Sequence, residues 1–353
     1  MLLEGIFLPL TTPFYPDGRL YVRKLEHNID RYSRTPAAGM FVLGSAGEAE
    51  GLTDDEVRTV LMNAIGAAAK TKVMIAGVGR ASVFASLALT EMAATADYDA
   101  VAVRAPEFFA DPSMRTEVIT YFQAIADRSP LPVVLISDRE RPLEIEILLQ
   151  LASHPQVVGV IEDHISPERT AQLVSLTSEV RRDVVVTTLF AAVTRRMLHV
   201  ADAESDGTGR GNFVSAASLG GDALALALMP PVASLKTRIK RVGFQVLAGS
   251  SGGMLDAWTA GAVGAVPRLG ACAPQACCEV YQAFKDGDGK LAQEKQLRVS
   301  MAARHMEGWS GVAALKYGCD LNAYFGGRPR LPLIAPNAEQ RATIEHELKS
   351  LRN

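Results

Sequence analysis

At 353 residues the chain exceeds one average domain, yet α/β barrels routinely use about 200 to 300 residues as a single unit, so one large domain with an extension is expected. A hydrophobic fraction of 48% against 21% charged residues excludes a disordered chain and leaves enough apolar side chain for a sizeable core. The formal net charge of −3 gives no electrostatic reason for nucleic acid or anionic membrane as a partner, which leaves small molecules and other subunits.

Taken from its start, MLLEGIFLPL has no basic n-region, long apolar stretch or small-residue cleavage site, so no signal peptide is read and a cytoplasmic location is expected. Short, nearly continuous apolar runs then alternate with longer helix-like segments. The runs are GIFLPL from Gly5, GMFVLG from Gly39, KVMIAGVG from Lys72, DAVAVRA from Asp99, LPVVLIS from Leu131, QVVGVIE from Gln156, FQVLAGS from Phe244 and GAVGAVP from Gly261. Continuous rather than alternating apolarity is the mark of strands buried on both faces of a parallel sheet. After the second run, Thr53 is placed to cap a helix with acids in its first turn and Val57, Val60, Leu61, Ala64 and Ile65 at helical spacing. Eight such βα units predict a (β/α)8 TIM barrel over residues 1–270.

The rhythm fails once. From about 183 to 241 the chain holds far more than one crossover helix, including DAESDGTGRGN and an apolar patch from Leu224 to Met229, and an inserted subdomain or lid is expected before the seventh strand. That patch, broken by Pro230 and Pro231, is well short of a membrane span. Residues 271–353 read as a helical C-terminal extension. Cys272, Cys277, Cys278 and Cys319 have neither paired metal-site spacing nor the density of a disulfide scaffold, so reduced, buried thiols are expected.

Barrel enzymes place their sites at the C-terminal ends of the strands. There, GSAGEAEGLTDDE follows the second strand. Gly44 and Gly47 allow a tight turn with exposed amides and Ser45 adds a hydroxyl, a combination able to grip a carboxylate. A plain βα turn, with Glu48 as a helix N-terminal charge, accounts for the same residues. Arg104 ends the fourth strand, Asp138 and Arg139 follow the fifth, and Glu162, Asp163 and His164 follow the sixth. These charges either pair with one another or face solvent, or they do chemistry.

LTTPF, GSAGEAEGLTDDE, IAGVG, APEFFADPS, LPVVLIS, VVGVIED and GRPRLPL, in this order, make the chain resemble the dihydrodipicolinate synthase and N-acetylneuraminate lyase family over nearly its whole length outside the insertion. The resemblance implies a (β/α)8 barrel with a helical extension, a homo-oligomer (dimer or tetramer), and a 2-oxo acid bound as a Schiff base to a lysine on the sixth strand. It also places departures. Ile161 stands at the lysine position, Ile136 at that of a fifth-strand tyrosine, Phe108 and Phe109 at an aromatic pair that carries a phenol, and Ala46 at a second hydroxyl. An alkane forms no iminium; Lys72 enters the third strand at the wrong end of the barrel and Lys236 and Lys240 precede the seventh strand in the insertion, so none puts an amine in the mouth unless the insertion folds back over it.

The expectation is therefore a divergent protein that acts on or binds a 2-oxo acid or related small carboxylic acid through Gly44, Ser45, Gly47 and Arg104, leaning to a carbon–carbon lyase or synthase with a mechanism other than the family's. The alternative is a catalytically inactive relative serving as a small-acid binder, regulatory subunit or interaction scaffold. Asp138, Asp163 and His164 are the candidate catalytic groups. No cofactor is expected, although Glu48, Asp163 and His164 are candidates for a divalent metal that would polarise a carbonyl. Strand alternation puts Ile161 inward, Glu162 towards the helices and Asp163 inward again.

Overall fold

Eight parallel strands close into a barrel in the computed structural model, which describes residues 1–109, 111–163, 166–199, 235–308 and 311–351. They are β1 (Gly5–Pro9), β2 (Gly39–Val42), β3 (Val73–Gly77), β4 (Ala100–Arg104), β5 (Val133–Ser137), β6 (Val157–Glu162), β9 (Gln245–Ala248) and β10 (Gly264–Ala265), each within one of the eight apolar runs. The order around the barrel follows the chain, with β6 hydrogen-bonded to β9 and β10 closing on β1.

Period-two alternation sorts the strand residues into two cores. Phe7, Phe41, Ile75, Ala102, Val134, Ile136, Ile161 and Leu247 point inward and fill the barrel. Leu8, Met40, Val42, Val103, Leu135, Val160 and Val246 point outward against the helices. Burial on both faces is why the runs are apolar throughout. The covering helices are α1 (Val22–Ser33), α2 (Asp54–Ala67), α3 (Val83–Thr95), α4 (Arg115–Ala126), α5 (Ile145–Ala152), α6 (Pro167–Leu176) and α7 (Met254–Thr259). Thr53 starts α2 as expected: its hydroxyl accepts from the Glu56 amide while the Glu56 carboxylate accepts from the Thr53 amide.

The insertion leaves and re-enters the barrel through an antiparallel ribbon, β7 (Arg182–Thr187) and β8 (Thr237–Val242), with Arg182 opposite Val242 and Thr187 opposite Thr237. Its location differs from a lid. Val184 and Val186 pack on Leu2 ahead of β1, and Arg182 donates to the carbonyls of Ala152 and His154 ahead of β6. Beyond β7, the Arg195 amide donates to Asp99 ahead of β4, and Arg196 donates to the carbonyls of Ala68 (2.9 Å) and Lys72 (2.5 Å) ahead of β3. Every one of these contacts is at the end where the strands begin, so the described parts of the insertion cover the floor of the barrel, opposite the mouth. The DAESDG stretch and the Leu224–Met229 patch lie outside the described residues.

The C-terminal extension comprises α8 (Pro274–Lys285), α9 (Gly289–Met306), α10 (Val312–Leu321) and α11 (Ala338–Leu348). All four cysteines are free and buried, and burial pushes their thiols up, so they pack as small apolar groups. No helix among the described residues is long and apolar enough to cross a membrane. Between α10 and α11, Arg330 reaches back to the barrel and grips the Glu56 carboxylate with two nitrogens at 2.6 and 2.7 Å. Those hydrogen bonds hold Glu56 down from 4.5 to about 2. A carboxylate depressed in the folded state stabilises above its unfolded value and stops doing so as it is protonated. Stability should therefore fall as pH drops from about 4.5 towards 2, and Glu56→Gln should flatten that part of the profile; an unchanged slope in urea titrations across this window would refute the linkage.

Candidate functional site

Register fixes what stands at the mouth. Arg104 of β4 is level with Ile136 of β5, Ile136 with Ile161 of β6, and Ile161 with Leu247 of β9. Two residues further along, on the same inward face, come Asp138 and Asp163. An apolar layer thus ends the barrel core and a charged layer sits on top of it. Strand alternation holds at β6: Ile161 joins the interior, Asp163 turns inward, and Glu162 turns outward to accept from Ser137 Oγ at 3.0 Å and from Arg169 of α6.

The charged layer consists of two ion pairs. Arg104 Nε lies 3.1 Å from Asp138, and Arg268, which follows β10, donates to Asp163 at 2.5 Å. Gly249, at the end of β9, leaves the space that the Asp163 carboxylate occupies; a Cβ there would collide with it. Burial raises the pKa of the Asp138 carboxyl, Arg104 pulls it back, and the Asp163 charge raises it again. Beneath the pairs is a throat of about 20 Å³ lined by Pro9, Phe41, Ser45, Ile136, Ile161 and Val266, room for about one water. Beside it opens a cleft of about 660 Å³ whose lining includes Gly44, Ser45, Arg80, Arg104, Phe108 and Ile136.

Of the residues expected to bind a carboxylate, Gly44, Ser45 and Arg104 line this space. Gly47 does not offer its amide. That N–H is bonded to the Gly44 carbonyl, and its own carbonyl accepts from Thr12 Oγ1 at 2.6 Å. Glu48 is also corrected as a metal candidate. It is buried in a left-handed backbone conformation (φ 53°), paired with the Lys316 ammonium of α10, and its other oxygen accepts the Arg330 amide at 2.8 Å. With Glu48 held by Lys316 and Asp163 by Arg268, the two acids are spent on cations rather than aimed at a common point. Among the described residues no cluster of three metal-ligating side chains is found; His164 lies outside them.

The sequence has ten lysines, all described, and none is among the residues lining the throat or the cleft. Lys72 donates to the Thr35 and Ala37 carbonyls and Lys240 to Glu4, both at the floor of the barrel. Lys316 has no accessible side-chain surface, and burial lowers its ammonium's pKa, partly restored by Glu48.

Comparison with known proteins places this architecture. The sequence model of the dihydrodipicolinate synthetase family matches residues 2–198, more than half of the chain. The chain belongs to this family. A 4-hydroxy-tetrahydrodipicolinate synthase of Xanthomonas campestris is 34% identical over 205 residues, 57% of this chain and 67% of the relative. An N-acetylneuraminate lyase of Rhizobium meliloti is 33% identical over 162 residues, 45% of this chain and 54% of the relative. The fold matches that of a dihydrodipicolinate synthase from Bacillus anthracis with a TM-score of 0.78 over the whole of both chains, at 20% identity. The family model's match ends at residue 198, inside the insertion, whereas a 4-hydroxy-tetrahydrodipicolinate synthase of Exiguobacterium aligns over 97% of this chain and 96% of the relative at 24% identity.

Sequence reasoning missed Arg268 and Gly249. The same signal that singled out Arg104, a charge at the end of an apolar strand, was present in VPR for Arg268. Gly249 had none, because its role is to leave room for an acid on the neighbouring strand.

Proposed function

We propose that the barrel mouth binds a 2-oxo acid or related small carboxylic acid without forming an iminium, with Arg104 and Ser45 as the carboxylate-recognising groups and Arg268 beside them. The observation that carries this reading is the in-register pair Ile136 and Ile161, which walls the throat where the family resemblance places a tyrosine and a lysine, in a mouth that no lysine lines. Guanidinium and hydroxyl donors remain, and they suit a carboxylate held without covalent attachment.

Borohydride treatment with pyruvate and a panel of 2-oxo acids should leave the intact mass unchanged while an active lysine-dependent aldolase run in parallel is labelled. In calorimetric titrations Arg104→Ala should weaken binding about ten-fold or more and Ser45→Ala about three- to five-fold, as expected for losing a charged and a neutral hydrogen bond. A trapped adduct sinks the non-covalent mechanism; unchanged affinity in both variants sinks the site. A turnover reading is favoured by one observation, the part-buried carboxyl of Asp138 at the mouth, whose pKa burial raises, a direction that suits proton transfer. Asp138→Asn should then abolish turnover even at ligand concentrations that saturate the variant in calorimetry; retained turnover at saturation sinks the turnover reading.

A further inference from the structure

Charge balance at the mouth narrows the ligand. The throat and cleft are lined by three guanidiniums, Arg80, Arg104 and Arg268, and three carboxylates, Glu50, Glu107 and Asp163; Asp138 beside Arg104 adds a fourth acid and Arg141 beside Glu107 a fourth cation. A site for a plain anion gathers uncompensated positive charge, which focuses the field on the incoming ligand. Here that surplus is missing. Arg104 is shared between Asp138 at 3.1 Å and Glu50 at 3.7 Å, and Arg268 is held by Asp163 at 2.5 Å. A lone carboxylate approaching either arginine also meets that arginine's acid, and like charges brought together cost affinity. A ligand that brings its own cation a few ångströms from its carboxylate turns the same repulsions into attractions.

We propose that the small acid taken by the mouth is zwitterionic, its carboxylate set against Arg104 and Arg268 and an ammonium or similar cationic nitrogen against Asp138 and Asp163. The order of charges around the barrel, cation on β4, anions just after β5 and β6, cation after β10, offers each end of such a ligand a partner of opposite sign. The rest of the ligand lies in the 660 Å³ cleft, at whose lip Phe108 is 57% exposed. This rests on the reading of the mouth as a small-acid site and specifies what that acid carries.

The test is calorimetric titration of the full chain with acids matched in skeleton: pyruvate against alanine, 2-oxobutyrate against 2-aminobutyrate, and 2-oxo-4-methylpentanoate against leucine. The amino acid of each pair should bind about ten-fold tighter, the worth of one charge-assisted contact. Asp138→Asn should reduce that preference to below about three-fold, and Asp163→Asn should do the same. Asp138 is part exposed, so its variant remains informative if burial makes Asp163→Asn fold poorly. Binding of the 2-oxo acids that is lost in Arg104→Ala but shows no preference for the amino partner overturns the zwitterion and leaves the small-acid site standing. A preference that survives both asparagine variants also overturns it, and binding of neither class removes the underlying reading as well.

Discussion

Lys316→Met should lower the unfolding free energy by about 3–5 kcal/mol, the usual cost of leaving a buried charge without its partner. Lys316 has no exposed side-chain surface and Glu48 almost none, so neither group regains water when the other is removed. The pair is also fixed from three sides. The Lys316 ammonium donates to the Arg328 carbonyl at 3.1 Å and stands 4.2 Å from the centroid of the Phe14 ring, and Arg330 lies over the same ring at 4.3 Å. Methionine keeps the volume and removes the charge, so the loss reports electrostatics rather than a cavity. Lys316→Met combined with Glu48→Gln should recover most of the stability, because no unpaired ion is then left. Urea unfolding of the two single variants and the double variant measures this; a single-variant loss below about 1 kcal/mol, or a double variant no better than the single, would show that the pair does not tie the extension to the mouth turn.

The second large effect is expected at the opposite end. Arg196 spans from the insertion to the floor of the barrel, where its guanidinium serves the Ala68 and Lys72 carbonyls from a position 9% exposed. Hydrogen bonds from a charged donor are worth about 1.5–3 kcal/mol each, and Arg196→Ala leaves both carbonyls without one. If the ribbon opens as a unit, amides of β7 and β8 should exchange about a hundred-fold faster in the variant, equivalent to roughly 3 kcal/mol, while β5 and β6 keep their protection. Equal loss of protection throughout would mean that ribbon and barrel open together, and the separate docking described here would be wrong.

The barrel was readable because its physics is local. Strands covered on both faces must be apolar at every position, and runs such as VVLIS and VVGVIE carry that requirement in five or six consecutive residues. The ribbon was not readable, since RDVVVT and TRIKRV have one wet face and a long stretch of chain separates partners that lie opposite one another. The mouth was half readable. Counting inward from Ile161 places Asp163 correctly, and Arg104 with Asp138 was one of the pairings the sequence allowed. What joins Asp163 to Arg268 and Glu48 to Lys316 is closure of the barrel and docking of the extension, and no spacing along the chain encodes either. Glu48 looked like a free acid at a helix start because its neighbours in sequence give it no counterion.

The floor ribbon has one further consequence. Because Arg182 is directly opposite Val242, the chain departs from the barrel and returns to it at adjacent points, about 4.5–5.5 Å apart as facing residues of an antiparallel pair are. Ends already held together make the closure entropy of whatever lies between them depend only weakly on its length, each doubling adding about 0.6 kcal/mol. The ribbon is in effect a socket at the rear of the molecule. A peptide tag, a binding module or a whole fluorescent domain spliced between β7 and β8 would hang from the floor of the barrel and leave the front, where small acids are proposed to bind, undisturbed.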